Sequence, residues 1–264
     1  MGPVITLTTD FGEHDAYVAA MKGVIASIAP ESNILDLTHE IAPQNIREGA
    51  LFLQEALPWF PEGSVHIAVV DPGVGTERRP LALNLDGRIL VCPDNGLAGF
   101  VMQKLPLRES IILDPLKCAT GPVSNTFHGR DIFAPAAAKI AAGTPMKQLG
   151  NPTETITELP WTVPERTSTG TILGEVIHID RFGNCITNIP GEGLPVGGQV
   201  LMRMTESTAA PLLRTYGDVN PGEPLALVGS SGLLEFAVNQ GDAASEHGIV
   251  PGAPVSIIVD SEKA

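Results

Sequence analysis

At 264 residues and 43% hydrophobic composition, the chain is long enough for two compact units and can build their cores without disulfides or metal staples. Its 30 acidic residues against 16 basic ones give a formal charge of −14, which repels phosphate backbones and anionic lipid. No nucleic-acid or membrane partner is expected, whereas a cationic small ligand is tolerated. The cysteines Cys92, Cys118 and Cys185 are widely spaced, form no C-x-x-C pair, and read as buried thiols of a reducing compartment. The opening MGPVITLTTDFG lacks a basic stretch followed by a long apolar run, and nothing approaches the ~18 apolar residues of a spanning helix. A soluble, cytoplasmic protein is expected.

The first half alternates short β-rich runs with helical patterns: 4–9 then 17–28, 34–37 then 46–56, 65–70, and later 111–113 then 132–142. Such alternation predicts a mostly parallel sheet covered by helices. Between these segments, 81–85 and 88–91 are joined by Asp86-Gly87, a dipeptide that readily supplies positive φ in a two-residue hairpin turn, so the sheet is mixed. The stretch LPWTVPERTSTG over 159–170 has two prolines and no periodicity, as a connector does. Domains are placed at 1–163 and 164–264. Beyond the connector, strand patterns at 171–180, 185–189, 199–204, 224–228, 234–238 and 254–259 predict a smaller antiparallel β domain, roughly barrel-like.

Ligands of open α/β sheets sit outside the carboxyl ends of strands, so polar residues directly after apolar runs are the candidates for chemistry. Thr8 to Asp15 (TTDFGEHD) places Asp10 and Asp15 after the first strand. Asp15 stands where it can cap the helix from 17, whereas Asp10 comes too early to do so. In VVDPGVGTERR, Asp71 precedes a Pro-Gly turn and two arginines, Arg78 and Arg79. The run has neither the Lys-Ser/Thr ending of a phosphate loop nor a third dinucleotide-binding glycine. Its plainest alternative is a surface Asp71–Arg78 salt bridge of little worth. In NTFHGRD, Asp131 is placed to cap the helix from 132, while His128, between Phe127 and Gly129 at the helix entry, can reach into a cleft. In the second domain IDRFGN (179–184), TYG (215–217) and residues 228–239 set glycines beside aromatics and amides, as a pocket for a flat ring requires.

Six separated motifs, TTDFGEHDAYV, VVDPGVGTERR, CPDNG, TFHGRDIFAP, IDRFGNCITNI and GSSGLLEFAVN, occur in an order that resembles the S-adenosylmethionine (SAM) hydroxide adenosyltransferase family, or SAM hydrolases. These are relatives of fluorinating and chlorinating enzymes that attack the same carbon with halide. The resemblance implies a larger α/β domain, a smaller β domain, and a homotrimer whose active sites lie where one subunit's first domain meets the next subunit's second. It implies water handling by Asp71, Arg78 and His128, the ribose diol held by Asp10, and methionine contacts from Asp15 and Asp180. It further implies Asn184 on the adenine edge, Phe182 and Tyr216 as aromatic walls, and Ser230 with Glu235 to Val238 along the rest of the pocket. Phe127, beside His128, is counted with the substrate contacts. The halogenating relatives have Tyr where this chain has Asp71 and lack the His128 match, which points to hydroxide over halide.

The expected reaction breaks the C5′–sulfur bond of SAM with water, releasing adenosine and methionine. A sulfonium departs as a neutral thioether and needs no general acid, so the work falls on aligning a water and removing its proton. No metal or cofactor is expected; SAM is the substrate. Two other readings compete. A metal-dependent nucleoside N-ribohydrolase would gather Asp10, Asp15 and Asp71 around a divalent cation, although the D-x-D-x-x-x-D-D bunching of such enzymes is missing. A SAM or adenosine sensor would keep the pocket without turnover.

Overall fold

The structure of the chain, a computed structural model, describes residues 2–160, 162–194, 200–205 and 208–259. Gln199, where a strand is expected to begin, and Trp161 of the connector lie outside them. Two compact units follow one another, Met1–Leu159 and Pro160–Ala264. Among the described residues no helix is long and apolar enough to cross a membrane.

The first unit runs β1 (Val4–Thr9), α1 (Tyr17–Ile28), β2 (Asn33–Thr38), α2 (Ile46–Ala56), β3 (Val65–Val69), β4 (Pro80–Leu85), β5 (Arg88–Pro93), α3 (Val101–Lys104), β6 (Leu107–Leu113), α4 (Pro115–Cys118), a π-helical turn (Gly129–Phe133), α5 (Ala134–Ala141) and β7 (Gly150–Pro152). Its seven strands lie in the order β2-β1-β3-β5-β4-β6-β7. Pairing is parallel from β2 to β5, and antiparallel where β4 meets β5 and β6 and where β6 meets β7. The sheet is thus mixed, and the β4–β5 turn has positive φ at both Asp86 (50°) and Gly87 (82°), as a two-residue hairpin turn demands.

Strand alternation sorts the side chains of β1 and β3. Ile5, Leu7, Val65, Ile67 and Val69 pack with Met21 and Ile25 of α1 and with the alanines of α5 in one buried cluster. Thr6 and His66 take the alternate positions. His66 is clasped there by Thr6 Oγ1 at 2.7 Å and Ser64 Oγ at 2.8 Å. Two expected caps are corrected. The N-cap of α1 is Ala16, so Asp15 is free of that role. The helix expected from 132 begins earlier, as the π turn from Gly129, and Asp131 instead accepts from the Ser124 amide.

The second unit contains β8 (Glu165–Arg166), β9 (Ile172–Ile179), β10 (Cys185–Pro190), β11 (Val200–Thr205), β12 (Thr208–Pro211), β13 (Pro224–Val228), β14 (Leu233–Val238), α6 (Ala243–His247) and β15 (Pro254–Val259). All strand pairs are antiparallel, in the order β12-β11-β15-β9-β10-β14-β13, with β8 on β9. Among the described residues the sheet does not close into a barrel: between its outer strands an isolated bridge joins Leu212, just past β12, to Ala226 of β13. Val176, Cys185, Leu234, Phe236, Val255 and Ile257 fill its core. Helix α6 was not legible in the periodicity; Asp242 caps its start and Gly248, at φ 63°, its end. All three cysteines are buried free thiols, and burial pushes Cys118 up to about 11 and Cys185 to about 12.

Burial, helped by the Arg88 charge, pulls the His66 imidazole from 6.5 down to about 3. The unfolded chain then gains a proton below pH 6.5 while the folded chain does not, so stability is lost as pH falls through that window. Urea unfolding is expected to show about 2 kcal/mol less stability from this group at pH 5 than above pH 6.5. A His66→Gln variant, which keeps polar contacts but cannot titrate, should show a correspondingly flatter pH dependence.

Candidate active site

Strand β1 lies between β2 and β3, so chains leaving β1 and β3 part to opposite sides and open a crevice at their carboxyl ends. Asp10 follows β1 directly, and Asp71 follows β3 after Val70. Backbone bonds from Val74 N to Asp71 O (3.2 Å) and from Thr76 N to Gly73 O (3.1 Å) fold the Pro-Gly segment into tight turns that return Arg78 to Asp71. Arg78 Nε donates to Asp71 Oδ1 at 2.9 Å and Oδ2 at 3.0 Å, and Nη2 also donates to Oδ2. With side chains only 5% and 8% exposed, Asp71 and Arg78 form a buried pair rather than the surface salt bridge of the plainer reading. Removing one member of such a pair costs about 3–5 kcal/mol, because it strands a charge.

Arg78 Nη2 also donates to His128 Nδ1 at 2.8 Å. An arginine can only donate, so His128 accepts through Nδ1 and, when neutral, carries its proton on Nε2. Burial, and then the Arg78 charge, hold His128 below the ordinary histidine value, against opposing pulls from Asp71, Asp131 and a hydrogen bond to the Ser124 backbone. The histidine is therefore neutral at neutral pH. Arg78 Nη1 is buried with no hydrogen-bond partner among the described residues, and its guanidinium lies 5.3 Å from the Phe133 ring centre.

His128 sits at the head of the π turn, a helical irregularity that recurs at functional sites. Phe127 meets Tyr17 edge to face at 5.1 Å and Phe11 at 5.9 Å, while Phe11 and Tyr17 stand 5.5 Å apart. This aromatic trio joins the Asp10 turn to the His128 turn. Asp10 Oδ2 accepts from the Gln44 amide at 2.8 Å. Asp15 is exposed just ahead of α1.

The second unit holds a pocket of about 820 Å³, lined by Asp180, Phe182, Asn184, Tyr216, Ser230, Glu235 and Val238, together with Leu227 to Gly229 and Asn239 to Gly241. Asp180 organises one wall. Its Oδ1 accepts from Phe182 N (2.8 Å) and Asn184 N (2.9 Å), and its Oδ2 from Asn184 Nδ2 (2.9 Å). That turn leaves Phe182 75% exposed while Asn184 is buried. On the other wall Tyr216 donates to Glu235 Oε1 at 2.5 Å. Burial and then the Glu235 carboxylate push the Tyr216 phenol up, so it stays protonated.

Residues 5–150 match the family model for the SAM hydroxide adenosyltransferase N-terminal domain, and residues 174–256 match that for the C-terminal domain. The chain belongs to the SAM hydroxide adenosyltransferase family. It is 45% identical to a Thermus thermophilus protein named (R)-S-adenosyl-L-methionine hydrolase, over 98% of this chain and 100% of that one. A Salinispora tropica protein of the same name is 42% identical over 95% of both chains. A crystal structure of a Thermotoga maritima protein superposes with a TM-score of 0.90 at 34% identity, covering 97% of this chain and 100% of that one.

For this member of the family, Asp71, Arg78 and His128 form one bonded cluster, Asp10 and Phe127 belong to the turns beside it, and the second-unit candidates share one pocket. The sequence reading passed over Gln44, whose φ of 65° aims its amide at Asp10. It also passed over Tyr17 and the rim residues Gln240 and Gly241, although the aromatic at the start of a helix beside TTDFG was a usable signal for Tyr17.

Gly75 is needed for the cluster to assemble. Its φ is 77°, and a Cβ there would fall 2.3 Å from the Asn125 carbonyl oxygen, so the Asp71 loop is seated directly on the segment leading to His128. Gly75→Ala is expected to cost about 1–3 kcal/mol in backbone strain, read as a lower denaturation midpoint. It should also free the His128 imidazole from the Arg78 charge, read as an upward shift in its NMR titration.

Proposed function

We propose that the chain hydrolyses SAM at C5′, with water as nucleophile, to give adenosine and L-methionine. The observation that carries this reading is the buried Asp71–Arg78–His128 cluster at the carboxyl end of β3, in a chain 45% identical to a protein named (R)-SAM hydrolase. The relatives' name also motivates the (R) sulfonium epimer as the preferred substrate. As the water oxygen bonds to C5′, the C5′–S bond breaks, its electron pair stays on sulfur as a neutral thioether, and the proton passes to Asp71. The Arg78 guanidinium holds the attacking oxygen in line and stabilises its developing hydroxide character. Neutral His128 adds no second cation beside Arg78 and fixes the direction of its fork. Asp10 takes the ribose diol, Asp15 and Asp180 the methionine portion, and Asn184, Phe182 and Tyr216 the adenine, with Phe127, Ser230, Glu235 and Val238 lining the remainder.

The same reading makes the enzyme a cytoplasmic homotrimer that works without metal or cofactor. Asp71 is committed to Arg78, which leaves it poorly placed as the cation ligand that the N-ribohydrolase reading requires. Turnover in ¹⁸O-labelled water should place the label on the 5′-hydroxyl of adenosine and survive EDTA, with no halo-adenosine formed in chloride. Free adenine, or activity restored only by added calcium or magnesium, would overturn the assignment. Asp71→Asn and His128→Ala should each lower kcat by about 10²-fold or more. If sites are shared between subunits, mixing Asp71→Asn with Asn184→Ala chains after mild dissociation should restore part of the activity. An active monomer by light scattering would refute the shared site.

A further inference from the structure

The CPDNG motif contributes nothing to the cluster or the pocket described above, yet it meets the backbone on both sides of the Asp71–Arg78 loop. Val70 directly follows the last residue of β3. Asn95 Nδ2 donates to its carbonyl at 2.9 Å, one residue before Asp71. On the far side of the loop, β4 begins and β5 ends on the paired prolines Pro80 and Pro93. Their rung is a non-hydrogen-bonded pair of the antiparallel ladder, so the next bond falls at 79 and 94.

The fork is closed one residue further out by Asp94 N donating to Arg79 O at 2.8 Å and by the side chains themselves. Arg79 Nε donates to Asp94 Oδ2 at 2.7 Å, with Nη2 on the same oxygen, and the Asp94 side chain is only 2% exposed. Asp94 Oδ1 meanwhile accepts from Thr157 N at 2.7 Å, and Arg79 Nη2 donates to the Thr155 carbonyl at 2.9 Å. Arg79 is thus immobilised on one side of the backbone while its neighbour Arg78 is aimed at Asp71 and His128 on the other.

We propose that Asn95 and Asp94 are positioning residues that hold Asp71 and Arg78 in register, Asn95 through the Val70 carbonyl and Asp94 through Arg79. The inference rests on the reading of Asp71 and Arg78 as the water-handling pair. In-line attack tolerates little displacement, and a shift of about 1 Å in a positioning group can cost about 10²-fold in rate. Binding of the substrate's sugar, base and methionine is assigned to other residues, so KM should barely move.

The test is Asn95→Ala, read in two ways. Turnover of SAM should show kcat lowered by about 10²-fold with KM nearly unchanged. The His128 imidazole, titrated by NMR, should shift upward as Arg78 moves away, with Arg78→Ala setting the size of that rise. A wild-type titration in the folded variant, or a kcat loss without any His128 shift, would overturn the proposal. If Asn95→Ala does not fold, Asp94→Asn takes its place with the same readouts, since it keeps the amide bond to Arg79 and an acceptor for Thr157 while removing the charge. If the wild-type protein fails to turn over SAM, the proposed reaction falls, and the His128 titration alone still decides whether these residues position Arg78.

Discussion

A carboxylate and a guanidinium taken out of water together set the terms for the first unit. Desolvating the Asp71–Arg78 pair is repaid only where geometry is tight and the remaining donors and acceptors are met. The surrounding sequence reads as the means to that end for every donor of the pair but Arg78 Nη1, which no described group meets. Glycine at 75 lets the loop lie on the Asn125 backbone, neutral His128 takes a further guanidinium hydrogen bond without adding charge, and the Phe133 ring covers the guanidinium face. The parallel core beneath, from Ile5 to Ala138, gives these groups a rigid floor.

The second unit meets a different requirement by different means. Its pocket is shaped by short-range bonds within turns, with Asp180 gripping the amides of Phe182 and Asn184 and Thr215 capping the turn that carries Tyr216. Such turns hold an aromatic face outward at little cost in buried polar groups, because the Asp180 and Asp218 carboxylates are satisfied by amides nearby in the sequence. The two units therefore differ in kind: one holds a buried ion pair in place, the other encloses a pocket walled in part by aromatic side chains.

The sequence was legible where local periodicity and topology agree. β1, α1 and α2 appear over the residues expected, since a parallel sheet flanked by helices imposes long apolar periods, and the Asp86-Gly87 turn announced the β4–β5 hairpin. Short elements escaped: β7, β8 and α6 span too few residues for any period to register. Caps were misjudged at Asp15 and Asp131 because both are good cap residues by type, and only packing decides which residue stands at the first turn. The candidate residues of the cluster could be named from motifs, but not the burial of Asp71 and Arg78, which depends on strands far apart in the chain. Gln44, with its positive φ, carried no sequence mark at all.

One irregularity bears on how such a site can change over generations. The π turn from Gly129 to Phe133 is, in effect, a helix with one surplus residue, and it places His128 at its head. Each residue of an α-helix turns the chain by about 100°. Deleting a single residue within this turn would let it relax into α-helix continuous with α5, swinging the histidine about that far around the axis and away from Arg78. The chemistry of this cleft is thus within reach of one short deletion, a route to divergence that leaves the sheet and every residue of the Asp71 loop untouched.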